Sequence, residues 1–121
     1  MINRRIQDIK RAQKESFLFR EVSTHLAQLF AENKDLNSMV PTRVKLSPDK
    51  GRCTIFFTVP GGEQEFKEKL QTLILYKPSL RSALAKSMQS RYTPDITFKY
   101  DAVLEKARHI DDLLDSLKED K

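Results

Sequence analysis

The chain has 121 residues, of which 39% are hydrophobic and 32% are charged, with a net charge of +5. That size and balance predict a single soluble domain over residues 1–121 and exclude a disordered chain. The lone Cys53 excludes an intrachain disulfide, and a chain without disulfides suits a reducing cytoplasm. No apolar run approaches the length of a membrane span, and we expect neither a signal peptide nor a membrane partner.

The N-terminal segment, residues 1–33, predicts one long helix over about residues 3–32. Its apolar residues recur at steps of three, four or seven, which keeps them on one stripe of the helix. A polar break at residues 33–38 ends the helix and leads into a loop. The apolar stripe consists of Ile2, Ile6, Ile9, Ala12, Phe19, Val22, Leu26 and Leu29.

Two short strands follow, because apolar and polar residues alternate over residues 42–46 and again over residues 53–59. Residues 47–51 between them favour turns, so the pair forms an antiparallel hairpin. Cys53 alternates with the apolar Ile55 and Phe57, which predicts a buried core thiol and not a nucleophile. Phe56 lies on the other side, where it either packs under a helix or serves as an exposed contact.

A second helix is predicted over residues 63–76. Pro78 ends or bends it near Lys77, because the residue before a proline avoids helical geometry. A third helix starts at Pro78, since proline suits a first turn. The buried side of the second helix is marked by Phe66, Leu70, Leu73 and Ile74.

The last strand is predicted over residues 96–100, where Ile96, Phe98 and Tyr100 alternate with polar residues. A tail helix over residues 103–117 follows within an acidic tail, residues 102–121. Residues 1–100 contain 18 Lys/Arg against 10 Asp/Glu, whereas residues 101–121 contain four against seven. A basic body favours an anionic partner, although ordinary solubility charge explains the composition equally well.

These elements follow the order α-β-β-α-α-β with a further C-terminal helix. One mixed three-stranded sheet packed by helices is the simplest arrangement that buries their apolar faces. We therefore predict an α+β fold.

Four short motifs, in order along the chain, resemble the ribosome-binding factor A family. Arg5-Ile6 resembles the pair that leads the family's first helix. The family's hairpin motif is matched by Val44-Lys45-Leu46-Ser47-Pro48-Asp49. The third motif comprises Leu80, Arg81, Met88 and Arg91. The fourth and best match is the strand Pro94-Asp95-Ile96-Thr97-Phe98-Lys99-Tyr100-Asp101, followed by Ile110-Asp111-Asp112-Leu113-Leu114.

The resemblance implies a type II KH-like fold and a small, cytoplasmic, bacterial factor that helps to mature the small ribosomal subunit. It implies binding to 16S rRNA within the immature subunit, without catalysis, and we expect a monomer. The family has an Ala-x-Gly kink between two helices, whereas this chain has Tyr76-Lys77-Pro78 at that place. Proline preserves the bend, but these side chains prevent the close backbone approach that glycine permits.

Basic residues are the candidate RNA contacts, because phosphate neutralisation by Lys and Arg supplies affinity without reading sequence. The alternative is that they are ordinary solvated surface charges. Those on the first strand would then protect an edge of the sheet from pairing with another strand. The acidic tail helix either shields this surface from nonspecific RNA or packs on the sheet. The primary candidates are Lys77, Arg81, Lys86 and Arg91, and the second group is Arg5, Arg43 and Lys45. Lys50 and Arg52 at the turn extend the basic group of the hairpin, and Arg4 accompanies Arg5 at the start of the first helix.

The sequence gives no indication of an enzyme. Asp111, Asp112 and Asp115 form an Asp-Asp-x-x-Asp pattern, but carboxylates on one helix are usually just solvated. We find no metal-ligand spacing, phosphate loop or nucleophile motif, and expect no cofactor. Two other functions remain open: a generic KH-like protein that binds single-stranded RNA, and a protein-interaction module built on the long first helix.

Overall fold

The computed structural model of the chain describes residues 2–88 and 92–119. The predicted α+β order is confirmed, with one additional short 3-10 helix, Lys34–Leu36. The helices are α1 (Ile2–Glu32), α2 (Gly62–Ile74), α3 (Lys77–Met88) and α4 (Ala102–Glu119), and the strands are β1 (Val40–Leu46), β2 (Arg52–Thr58) and β3 (Asp95–Tyr100).

The three strands form one mixed sheet in the order β1-β2-β3. β1 pairs with β2 antiparallel through the hairpin, and β3 pairs with β2 in parallel after the chain has crossed over through α2 and α3. Alternation places Val44, Cys53, Ile55 and Ile96 in the core with the helices. This arrangement is consistent with a type II KH-like fold, and the predicted burial of Cys53 is confirmed.

β1 is an edge strand and contains a bulge between Pro41 and Arg43. An edge position tolerates Pro41, which has no N–H to donate to a neighbouring strand. The bulge leaves Thr42 out of the regular pairing, and its hydroxyl donates to the Phe56 carbonyl at 3.3 Å and to Asp101 Oδ2 at 2.6 Å. The bulge therefore directs Thr42 towards the end of β3, where α4 begins.

The predicted apolar stripe of α1 is correct for its second half and wrong for its first. Val22 and Leu26 are buried and Phe19 and Leu29 pack half-buried against the core, whereas Ile6 and Ile9 are half exposed. A 31-residue helix is about 46 Å long, and a seven-residue strand spans only about 23 Å. The N-terminal half of α1 therefore extends past the sheet that its other half covers.

The break between α2 and α3 falls two residues earlier than predicted. α2 ends at Ile74, and the N–H groups of Leu75 and Tyr76 donate to carbonyls three residues back. α3 then begins at Lys77, with Pro78 in its first turn, where a missing N–H is tolerated. Ile74, the last residue of α2, is half exposed, so its predicted burial is wrong.

α4 does not pack on the sheet, so that reading of the acidic tail helix is wrong for the described residues. Its apolar residues Val103, Ile110, Leu113 and Leu117 are all at least half exposed. The helix is instead fixed at its start, where Asp101 is buried at the end of β3.

The two halves of α1 should respond differently to truncation. We expect Leu26→Ala to lower the free energy of unfolding by about 3 kcal/mol, because it leaves a cavity in the core. Ile9→Ala should change it by about 0.5 kcal/mol or less, since that side chain is 53% exposed. Urea denaturation of both variants measures the difference, and equal losses would show that the first half of α1 is packed.

Candidate nucleic-acid interface

α3 carries the primary candidate cations and is held on α1. Leu80 and Leu84 are buried on its inner side, and the Ser87 hydroxyl donates to Glu21 Oε2 at 3.0 Å. Arg81 and Lys86 lie on the exposed side. The packing of α3 therefore leaves both charges available to a partner.

Arg81 is held at the start of β3. Its Nη2 lies 3.3 Å from Asp95 Oδ1 and donates to the Thr93 carbonyl at 3.4 Å. Lys77 and Arg81 line one open cavity of about 570 Å³ together with Tyr92 and Thr93. Since the Arg81 side chain is still 52% exposed, it can donate further hydrogen bonds to an anion in this cavity.

The Tyr76-Lys77-Pro78 kink has a structural role in the fold. The Tyr76 hydroxyl accepts a hydrogen bond from Asn33 Nδ2 at 3.0 Å, which ties the kink to the loop after α1. The Lys77 ammonium lies 5.8 Å from the centre of the Phe98 ring. These contacts fix the bend between α2 and α3 through side chains.

Arg43, a second-group candidate, is engaged within the fold at the other end of β3. Its Nε lies 3.2 Å from Asp101 Oδ2, and its guanidinium lies 4.0 Å from the centre of the Phe56 ring. Phe56 is thus half-buried under an arginine on the outer face of the sheet, an environment that matches neither of the two predicted for it. Arg43 acts as a structural cation here, although 44% of its side chain is exposed.

Asp101 connects β1, β3 and α4. Besides Thr42 and Arg43, its Oδ1 accepts from the Leu104 N–H at 3.0 Å and so caps the start of α4. Burial alone would raise the pKa of this carboxyl. The hydrogen bonds from Thr42 and Leu104 and the charge of Arg43 outweigh that effect and lower the pKa below its ordinary value of 3.8.

Lys45 is brought together with Arg52 of the same hairpin and with Arg11, which sequence analysis did not name as a candidate. It lines an open cavity of about 410 Å³ with Arg11 of α1 and Arg52 of β2. An adjoining cavity of about 520 Å³ is lined by Arg4, Arg11 and Lys50. Arg11 was missed because its place at the hairpin depends on a contact between distant parts of the chain. α1 is long enough for its first half to pass the hairpin turn, which brings Arg11 beside the hairpin cations.

The remaining candidates are less closely gathered. Arg5 and Lys86 are exposed, but neither lines these cavities. Arg91 lies outside the described residues.

The Cys53 thiol and the candidate metal ligands also lie within the described residues. Burial, with a smaller contribution from the Glu15 charge, raises the pKa of the Cys53 thiol to about 11, so it stays protonated at neutral pH. Within residues 2–88 and 92–119, no group of three His, Cys, Asp or Glu side chains is arranged to hold a metal ion. In the same residues, no helix is long and apolar enough to cross a membrane.

Comparison with known proteins points to one family. The family model described as ribosome-binding factor A matches residues 10–114. A ribosome-binding factor A from Geotalea daltonii is 33% identical over 105 residues, which is 87% of this chain and 85% of that protein. A ribosome-binding factor A from Streptomyces coelicolor is 34% identical over 113 residues, which is 93% of this chain and 71% of that protein.

A solved structure agrees in fold. The crystal structure of ribosome-binding factor A from Thermus thermophilus superposes with a TM-score of 0.62 at 24% identity. The match covers 73% of this chain and 92% of that one.

Removing the Asp101 carboxylate should cost stability in a pH-dependent way. We expect Asp101→Ala to lower the free energy of unfolding by about 2 kcal/mol at pH 7, because it removes a helix cap and buried hydrogen bonds. Since the folded-state pKa is lowered, this contribution is complete above pH 3.8 and is lost as pH falls further. Urea denaturation of both proteins between pH 7 and pH 3 measures it.

The matched control is Asp95→Ala, because Asp95 is also paired with an arginine but is 74% exposed. An exposed pair contributes little, so this variant should change stability by about 0.5 kcal/mol or less. If both variants lose the same stability, or if the loss at Asp101 does not depend on pH, the role given to Asp101 is wrong.

Proposed function

The chain belongs to the ribosome-binding factor A family, and from that premise we propose that it binds the immature small ribosomal subunit through 16S rRNA and assists its maturation. It acts without catalysis, as a cytoplasmic bacterial assembly factor. Its partner is the folded RNA of the particle, and it binds as a monomer.

The observation that carries this proposal is a band of cations at one end of the sheet. The Asp95 N–H donates to the Gly51 carbonyl at 3.0 Å, so the start of β3 lies against the hairpin turn. Arg81 reaches Asp95 from α3, and Arg52 stands opposite Asp95 in the sheet. Cations from α3 and from the hairpin therefore lie side by side, which suits an extended run of phosphates.

We assign phosphate contacts to Lys77 and Arg81 within this band and to Lys86 on the exposed side of α3, with Lys45 and Arg5 in support. Arg43 is excluded from the primary contacts because Asp101 and Phe56 already hold it. Arg91 stays a prediction. If about five phosphates are neutralised, the logarithm of affinity should fall against the logarithm of salt with a slope of about −4.

Assistance to maturation requires that the protein distinguish two states of the particle. A protein that bound immature and mature subunits equally well would shift nothing between them. Rigid cations can make this distinction, because they fit one spacing of phosphates and lose contacts when the RNA rearranges. The factor then leaves when the mature arrangement removes those contacts.

Neutralising the α3 surface should weaken binding to the particle. We expect Lys77→Gln/Arg81→Gln/Lys86→Gln to reduce the magnitude of the salt slope by about 2 to 3, because each lost phosphate contact removes about 0.7 to 0.9. Co-sedimentation of the purified chain with immature and mature small subunits at several salt concentrations measures the slope and the preference between the two particles.

The matched control, Lys106→Gln/Arg108→Gln/Lys118→Gln, removes the same charge from α4 and should leave the slope unchanged. Binding to neither particle by the unmodified chain would contradict the proposed function. Tight binding to short free RNA with no preference for a particle would favour the generic RNA-binding protein. Binding that neither triple variant changes would favour the protein-interaction module.

A further inference from the structure

We propose that the two adjoining cavities between the start of α1 and the β1–β2 turn form one cleft that binds RNA phosphate groups and extends the cation band from Arg52 to the start of α1. We call it the hairpin cleft. The proposal deepens the proposed function and rests on it, because it assigns a second point at which the particle's RNA would be held. Its cations are Arg4, Lys10, Arg11, Lys45, Lys50 and Arg52.

The hairpin cleft is a concave surface with a strong excess of positive charge. Its two parts, of about 520 and 410 Å³, share Arg11 and Pro48, so they form one continuous depression. Asp8 is the one carboxylate among the described residues that line it. A concave wall surrounds an anion with several cations at once, which focuses the field and strengthens the attraction.

The nearby carboxylates are already engaged. Asp8 Oδ1 lies 3.3 Å from Arg11 Nη2. Asp49 accepts hydrogen bonds from the Ser47 hydroxyl at 2.6 Å and the Gly51 N–H at 3.0 Å, and these bonds lower its pKa. Within the described part of the chain, no salt bridge joins Arg4, Lys50 or Arg52 to a carboxylate, so these charges remain available to a ligand.

Two unfavourable features of the fold occur together at this cleft. The first turn of α1 contains Arg4 and Arg5 and no carboxylate, although the positive end of a helix dipole repels cations. Lys50 has a φ of 60°, a left-handed conformation in which a glycine would avoid strain. Strained or repelled groups that persist together commonly mark a binding site, and a bound phosphate would offset the repulsion between these charges.

The cleft is rigid enough to hold its cations at fixed spacing. Glu15 Oε2 accepts from the Leu46 N–H at 2.6 Å, which fixes α1 against the end of β1. The turn is closed by hydrogen bonds from the Ser47 N–H to the Arg52 carbonyl at 2.9 Å and from the Lys50 N–H to the Ser47 carbonyl at 2.8 Å. A preorganised set of charges loses less entropy on binding than flexible surface lysines do.

Protection of the sheet edge explains only part of this arrangement. It accounts for Lys45, which lies on the edge strand, but not for Arg4 and Lys10, which lie on a helix. An anionic membrane is the other class of partner for basic residues on a helix. RNA fits better because Lys45, Lys50 and Arg52 of the hairpin contribute to the same concave cleft, and the exposed Ile6 and Ile9 of α1 make vesicle binding the rival outcome to measure.

The test compares Arg4→Gln/Lys50→Gln/Arg52→Gln with the α4 control Lys106→Gln/Arg108→Gln/Lys118→Gln. Co-sedimentation with immature small subunits over a range of salt concentrations gives, for each variant, the slope of the logarithm of affinity against the logarithm of salt. We expect the cleft variant to reduce the magnitude of the slope by about 2 to 3 and the control to leave it unchanged. All six side chains are exposed, and unchanged melting temperatures confirm that both variants fold.

A second measurement separates this proposal from the proposed function. The ¹⁵N-labelled full chain is titrated with hexauridylate, and separately with phosphatidylglycerol–phosphatidylcholine vesicles, while amide shifts are followed by NMR. Shifts with hexauridylate at residues 47–52 and the start of α1 support the cleft, even if the chain binds no ribosomal particle and the proposed function fails. An unchanged salt slope in the cleft variant, no shift with hexauridylate, or binding to vesicles alone would overturn the cleft.

Discussion

The whole structure depends on covering one face of a three-stranded sheet. A small sheet with one apolar face needs that face covered to be stable, and the core side chains Val44, Ile55 and Phe98 all emerge on the same side. Leu18, Val22, Leu26 and Phe30 of α1 recur every four residues and join the core on that side, with α2 and α3 completing the cover. The other face and the ends of the sheet are thereby left to solvent, and the cations lie there.

The parallel pairing of β2 with β3 brings the basic segments together. Because β3 runs in the same direction as β2, its start lies beside the hairpin turn, and Asp95 stands opposite Arg52. α3 ends just before this strand, so Arg81 meets the same corner of the sheet. An antiparallel β3 would have placed its start, and Arg81 beside it, at the opposite end of the sheet from the hairpin turn.

The sequence predicted the strands better than the long-range contacts. A period of two fixes which side of a strand is buried, and the predicted burial of Cys53, Ile55 and Phe98 is confirmed. Helical periodicity identified the correct face of α1 but not where its partner ends, so Ile6 and Ile9 were wrongly placed in the core. The pairing of Arg43 with Asp101 joins residues 58 apart, and no local pattern reveals it.

That pairing also shows why a count of basic residues is a poor guide to an RNA-binding surface. Arg43 and Arg52 are both exposed, and the register of the hairpin places both on β1–β2. Arg43 faces a buried carboxylate that needs its charge, since Asp101 would otherwise be a poorly compensated anion in the fold. Arg52 faces Asp95, which is largely exposed and already lies beside Arg81.

The same residue type therefore has two different roles, decided by the nearest carboxylate and its burial. A buried carboxylate holds its arginine as part of the fold, because separating them leaves a charge without solvent or partner. An exposed carboxylate holds it weakly, and a phosphate can compete for it at little cost. By this criterion, the cations available to RNA lie at the hairpin and α3 end of the sheet, and the opposite end serves to anchor α4.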